Sequence, residues 1–203
     1  MARTTMADII TLVRGFINDP SAAVFTDDDV QSALDARRLE VRYGKLGEEP
    51  TISANGSVTF VTFRAPWGVW ELPGTDTPKR FQLVDQGFND LSASLTDSDY
   101  YTGRWVFNAQ PRYPVMVTGF TYDAYGAAAD LLRRWAAKVV LDFDVKADGT
   151  ELSRSQKRAA LLDMANEYLK RARVRHAALV RTDGTQDPHI TYDDGYPNER
   201  VNP

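Results

Sequence analysis

The sequence predicts an α+β protein in which a four-helix bundle, formed by N- and C-terminal helical pairs, carries an inserted antiparallel β domain and an extended C-terminal tail. Three observations predict it. Apolar residues recur at three- and four-residue spacing near both ends of the chain. Between them, residues 58–122 hold short β-branched and aromatic runs separated by turn residues. After Val180 neither period persists, and Gly184, Pro188, Gly195, Pro197 and Pro203 punctuate what remains. The divisions are residues 1–49 for the first helical pair, 50–122 for the β insertion, 123–181 for the second pair of the same bundle, and 182–203 for the tail.

The first helix is expected from about Met6 to Ile17, with Ile9, Val13, Phe16 and Ile17 on one face. Thr5 is its expected N-cap, with Asp8 as the capping-box partner. Asn18-Asp19-Pro20 ends it, because the residue before a proline is biased out of the helical region. Thr26 caps the second helix, whose first turn holds Asp27, Asp28 and Asp29 at the positive end of the helix dipole. Phe25 and Val30 sit at the staple positions. Val30, Ala33, Leu34 and Val41 form its apolar stripe, and Gly44 and Gly47 are its stop signals.

Five strands are expected next: Val58 to Arg64, Trp67 to Leu72, Phe81 to Asp85, Arg104 to Phe107 and Val115 to Tyr122. Trp67, Trp70 and Trp105 lie in this segment and are expected to pack its core. The third helix starts near Asp123 or Ala124 and places Ala127, Ala128, Leu131, Leu132, Trp135, Ala136, Val139 and Val140 at helical spacing. Residues 142–150 read as a connection turning at Asp148-Gly149. Ser153 and Gln156 form a capping box for the last helix, which continues through Leu161, Ala165 and Leu169 to about Arg175 or beyond.

Charge and composition narrow the function classes. The 203 residues include 24 Lys+Arg, 28 Asp+Glu, 2 His and no cysteine. Absence of cysteine excludes a disulfide framework, a thiolate metal site and a cysteine nucleophile. Two histidines, His176 and His189, exclude a histidine-rich metal site. The chain has no run of roughly 18 apolar residues, so no bilayer-spanning segment is expected. Residues 1–8 lack the basic-then-apolar order of a secretion signal. The net charge of −4 argues against a DNA-binding surface over the whole protein. Its distribution is uneven: residues 123–181 carry 12 basic and 8 acidic side chains, residues 182–203 carry 1 and 5, and residues 1–50 carry 6 and 9. Unlike surfaces of this kind suit contact between neighbouring copies or with another protein; solvated faces and a solubilising tail account for the same counts.

No motif assembles a reactive centre. Asp142-Phe143-Asp144-Val145-Lys146-Ala147-Asp148-Gly149 resembles a calcium loop, but position five is Lys146 and the glycine falls at eight rather than six. Asp27, Asp28 and Asp29 are adjacent on a helix and do not share a face. There is no nucleophile elbow around a serine and no glycine-rich phosphate loop. Enzyme activity, catalytic residues, metals and cofactors are therefore not expected. Lys170, Arg171, Arg173, Arg175 and Arg181 form a candidate basic contact cluster, open to three readings: phosphate neutralisation, a solvated helix C-terminus, or a seam against an acidic neighbour.

The order of these signals resembles one family. Residues 7–20 from Ala7-Asp8-Ile9-Ile10 to Asp19-Pro20, then Phe25-Thr26-Asp27-Asp28-Asp29-Val30 and Leu34-Asp35, look like the opening of tailed-bacteriophage head-to-tail adaptor (connector) proteins. Tyr122-Asp123-Ala124-Tyr125-Gly126-Ala127-Ala128-Ala129-Asp130-Leu131-Leu132, Trp135-Ala136, Phe143-Asp144 and Arg154-Ser155-Gln156-Lys157 continue the likeness over both helical parts, about half of the chain. The resemblance implies a structural protein of the virion neck, assembled in the host cytoplasm: a ring, generally of twelve copies, docked beneath the portal. Such a ring receives the stopper or tail and lets genomic DNA pass without sequence-specific binding. The family's C-terminal segments reach toward the portal, which makes Tyr192, Tyr196 and Arg200 the expected portal-binding residues. No membrane partner is implied. A stopper or tail-completion factor, and a DNA-binding accessory protein using the basic last helix, are the alternative readings.

Overall fold

A computed structural model describes residues 2–52, 56–74, 81–140, 146–147, 150–151 and 154–173. A single 3-10 turn, Thr4–Met6, leads into α1 (Ala7–Ile17), followed by α2 (Asp27–Asp35). Seven strands come next: β1 (Arg38–Lys45), β2 (Gly47–Ile52), β3 (Val58–Arg64), β4 (Gln82–Val84), β5 (Leu95–Asp99), β6 (Arg104–Phe107) and β7 (Met116–Tyr122). Then come α3 (Ala124–Val140), the hairpin β8 (Lys146–Ala147) and β9 (Thr150–Glu151), and α4 (Arg154–Arg171).

α1 and α2 obey their local signals with two exceptions, while Ser153, the expected cap of α4, lies outside the described residues. α1 buries Ile9, Ile10, Val13 and Ile17 and ends on Asn18 in the left-handed region (φ 54°), whose N–H returns to the carbonyls of Arg14 and Gly15. Thr5, however, does not cap it; its hydroxyl donates to Glu71 Oε1 at 2.7 Å. α2 starts with a complete capping box, in which Asp29 N–H donates to Thr26 Oγ1 (3.2 Å) and Thr26 N–H donates to Asp29 Oδ2 (2.9 Å). It stops at Asp35 instead of running to Gly44. Between Leu34 and Val41 the helical stripe would have to pass over Arg37 and Arg38, whereas Leu39, Val41 and Tyr43 alternate with polar residues at a strand period.

β1 pairs with β7 from Arg38↔Tyr122 to Lys45↔Met116, with a bulge between Val41 and Gly44. β4 takes the other side of β7, giving a three-stranded antiparallel sheet in the order β1-β7-β4. The second sheet is antiparallel with the order β2-β3-β6-β5. Its edge strand β2 carries Pro50 at a register shift, where a missing N–H is tolerated. The expected strand over Trp67–Leu72 reduces to one bridge, Trp70↔Thr121. Val69 there has φ 58°, which breaks the pleat, and a Cβ at Gly68 would overlap the Tyr101 carbonyl oxygen.

Two apolar cores result. Helical residues such as Met6, Val13, Leu34, Ala127, Leu131, Leu132 and Ala165 form one. Phe63, Trp70, Phe81, Leu83, Trp105 and Val117 form the other. Residues 1–173 make one compact unit.

The helices do not form a four-helix bundle from N- and C-terminal pairs. α3 packs most extensively on α4 and also receives α1 and α2. α1 and α2 have only 11 and 9 residues, about three and two and a half turns. With the second half of its expected length converted into β1, α2 is too short to line a bundle axis, and the same stretch of chain ties the helices to the sheet. The architecture is thus a central helix, α3, packed by the other three and continuous with a sheet strand through Tyr122 and Asp123.

Candidate functional site

The most elaborate polar arrangement lies where the helices meet the sheets. Arg3 reaches Asp35 at the end of α2 (Nη2–Oδ1 2.7 Å), Glu71 (Nε–Oε1 3.1 Å) and the Tyr122 hydroxyl (3.0 Å). Glu71 also accepts from Tyr122 OH at 2.6 Å. The Glu71 and Tyr122 side chains are sealed, each residue being 0% exposed. The first effect of this burial is on Tyr122: desolvation, reinforced by its hydrogen bond to the Glu71 carboxylate, pushes the phenol above its ordinary value of 10.0. A sealed carboxylate and phenol bound to a largely buried guanidinium make a structural tie.

The tie has a pH signature. The unfolded chain releases the Tyr122 proton near pH 10.0 while the folded chain keeps it. The stability that this difference contributes is complete below that pH and is lost as pH rises through the folded-state value. Urea midpoints recorded from about pH 9 to about pH 11 are therefore expected to fall less steeply for Tyr122→Phe than for the parent chain.

Two further arginines play similar parts. Arg14 joins Asp19 (3.4 Å) and Asp27 (2.6 Å), fixing the α1–α2 loop, whose N–H groups at Ala23 and Phe25 donate to the Asp19 carboxylate. Arg37 pairs with Asp130 (2.6 Å) and Asp123 (3.4 Å) at the start of α3. Gly126 leaves room for them, since a Cβ there would push aside the Asp123 carboxylate and the Arg37 guanidinium. Among the described residues no cluster of three or more His, Asp or Glu has a metal-holding geometry. Asp27 and Asp29 turn to different partners, Arg14 and Thr26. The calcium-like acids Asp142, Asp144 and Asp148 lie outside the described residues, as do His176 and His189.

The expected basic cluster is divided. Arg173 turns inward: its Nη2 donates to Thr121 Oγ1 (2.8 Å) and to the Gly68 carbonyl (3.1 Å). Its Nη1 is buried without a hydrogen-bond partner among the described residues. Burial pulls this guanidinium below its ordinary value, with Asp123 opposing. Lys170 pairs with Glu167 on the same helix, and Arg171 is exposed. Arg175 and Arg181, and the expected portal-binding residues Tyr192, Tyr196 and Arg200, lie outside the described residues.

The exposed charges are unevenly distributed among the helices. Arg133, Arg134 and Lys138 of α3 and Lys157, Arg158 and Arg171 of α4 are exposed. Asp8, Asp27, Asp28 and Asp29 are exposed at the starts of α1 and α2. Hydrogen bonds from Thr26 hold Asp29 below the usual carboxylate range, and Lys138 and Arg134 add to the effect.

A groove of about 480 Å³ separates α1 from the turn after β5. Ile9, Leu12, Val69, Trp70 and Leu72 supply its apolar lining, Tyr100 and Tyr101 aromatic lining, and Asp8 and Asp99 its charge. Val69 lies at φ 58°, a conformation that costs a β-branched residue on the order of 1–3 kcal/mol. It is held there by Val69 N–H donating to Tyr101 O (2.8 Å) and Tyr122 N–H donating to Val69 O (2.9 Å). Asp99 is fixed by donors from Thr102 and Tyr101, which also lower its pKa. Sequence reasoning missed both the groove and the Arg3 tie. No punctuation residue marks the Arg3 tie; the local signal for the groove is Gly68, whose place beside Val69 marks a close backbone approach.

Among the described residues no helix is long and apolar enough to cross a membrane. No family model matches the chain, and neither a curated protein nor a solved structure matches it.

Proposed function

We propose that the chain is a structural adaptor of a tailed-phage neck: a ring of twelve copies that seats on the portal, receives the stopper or tail, and continues the DNA channel. The observation that carries this reading is the uneven distribution of exposed charge over one compact unit, with most exposed cations of the helices on α3 and α4 and exposed carboxylates at the starts of α1 and α2. A closed ring needs that asymmetry, because each copy must offer its neighbour a surface different from the one it receives. Internal tying supports the same reading. Arg3, Arg14 and Arg37 each bridge separate elements, as suits a part that transmits load between assemblies rather than one that opens around a substrate. The inward turn of Arg173 subtracts one cation from any phosphate-binding cluster, which weakens the DNA-binding alternative.

The test is cryo-electron microscopy of assembled particles. A ring of this chain between portal and tail is expected, and its absence from the neck would contradict the reading; a position beneath such a ring would make it the stopper or tail-completion factor. Deleting Thr182–Pro203 is expected to block joining of heads to tails while leaving residues 1–173 folded, since these form a compact unit by themselves. Normal tailed particles from the deletion would discard the portal-docking role of Tyr192, Tyr196 and Arg200.

A further inference from the structure

We infer that the groove between α1 and the β5–β6 turn is the socket for a second copy of this chain, which inserts the exposed face of its α4. This rests on the self-assembly in the reading above and names the surfaces. The socket is apolar at Ile9, Leu12, Val69 and Trp70, and its charged lining residues are two carboxylates, Asp8 and Asp99, with no Lys or Arg. An occupant must therefore be apolar in the middle and cationic at its flanks.

The α4 face has much of that chemistry, the carboxylate one turn after Met164, Glu167, being already paired with Lys170. Met164 is 38% exposed, the one large hydrophobic of α4 so placed. Lys157 stands two turns before it and Arg171 two turns after, so all three share one stripe, roughly 10 Å apart along the helix. The Lys157 Nζ stands 5.3 Å from the Trp135 ring centroid of its own chain. A flexible thioether suits an irregular apolar cleft. Socket and plug are different surfaces of one chain, so their contact is heterologous and propagates around an axis instead of closing a dimer. The strained Val69 backbone fits a preformed socket: its conformation is fixed by hydrogen bonds on both sides before any partner arrives.

The chain has no cysteine, so engineered thiols are its only ones. Full-length Tyr101→Cys and Met164→Cys chains, both changed at exposed side chains, are mixed at high concentration and oxidised. Disulfides need Cα atoms within about 7 Å, so they report this contact alone. The mixture is expected to cross-link at least about tenfold faster than Met164→Cys mixed with Ile52→Cys, a control exposed on the β2 edge. The double variant Tyr101→Cys/Met164→Cys is expected to give a ladder of multimers ending in a closed ring. Equal rates with both partners, or no ladder, overturn the socket, including the case where a portal or tail segment fills it instead. A ring in neck particles without this disulfide overturns the contact and leaves the adaptor reading. A ladder from a chain absent from the neck does the reverse.

Discussion

Trp105→Ala is expected to lower folding stability by about 3–5 kcal/mol, the largest single-residue effect in the β half. Trp105 is 0% exposed and meets Trp70, Phe81 and Tyr100 at ring-centroid distances of 5.8, 5.7 and 6.2 Å. Its indole N–H has no hydrogen-bond acceptor among the described residues, so the loss is chiefly apolar transfer plus cavity. Neighbouring rings cannot collapse into the gap easily, because β3 and β5 flank β6 on both sides and hold its backbone in register. Trp135 provides the contrast. The sequence marks it as a bundle-core indole, but it is half-buried, edge-on to Phe25 with Lys157 over its face, so its truncation leaves a partly solvated notch and costs less. Urea denaturation checks both variants; a loss below about 1 kcal/mol for Trp105→Ala with an unchanged m-value would refute the cavity argument.

Legibility in the sequence followed the range of the interaction. α1, the α2 cap, β6, β7 and α3 were readable because each is written within a few residues, as an apolar period or a side-chain cap. β5 was not, since an exposed edge strand reading Leu-Thr-Asp-Ser-Asp has no buried face to alternate with. β1 was misread because Val41 falls at helical spacing from Leu34, and only the pairing with β7, some 80 residues on, decides for strand. That one error removed the bundle. The candidate surfaces divide the same way. The cations of α3 and α4 are visible as a charge excess, while the groove joins residues 8–12, 69–72 and 98–101, which only the fold brings together. Arg173 looked like its neighbours Lys170 and Arg171; only tertiary contact with Thr121 separates it from them.

Arg3→Met is expected to cost about 3 kcal/mol, the lower part of the range for removing one partner of a buried ion pair. Two effects compete. The Arg3 side chain is 23% exposed, so its own transfer from water is incomplete and its pairing with Asp35, 31% exposed, is screened. The Glu71 side chain is 1% exposed, and losing the guanidinium takes a charged partner away from a buried carboxylate that Thr5 and Tyr122 hydroxyls also hold. The second effect wins, because weakening the compensation of a buried charge costs far more than an exposed pair contributes. Coupling is the decisive readout. Glu71→Gln removes the charge while keeping the shape, so Arg3→Met/Glu71→Gln is expected to be less destabilised than the sum of the single variants, by roughly 1–3 kcal/mol. Strict additivity in a urea double-mutant cycle would show that Arg3 acts through packing of its aliphatic stem instead. The same cycle bears on assembly. Arg3 ties the end of α2 to the residue next to Trp70, which lines the groove, so loosening it is expected to slow Tyr101–Met164 cross-linking in the cysteine variants as well as lowering the urea midpoint.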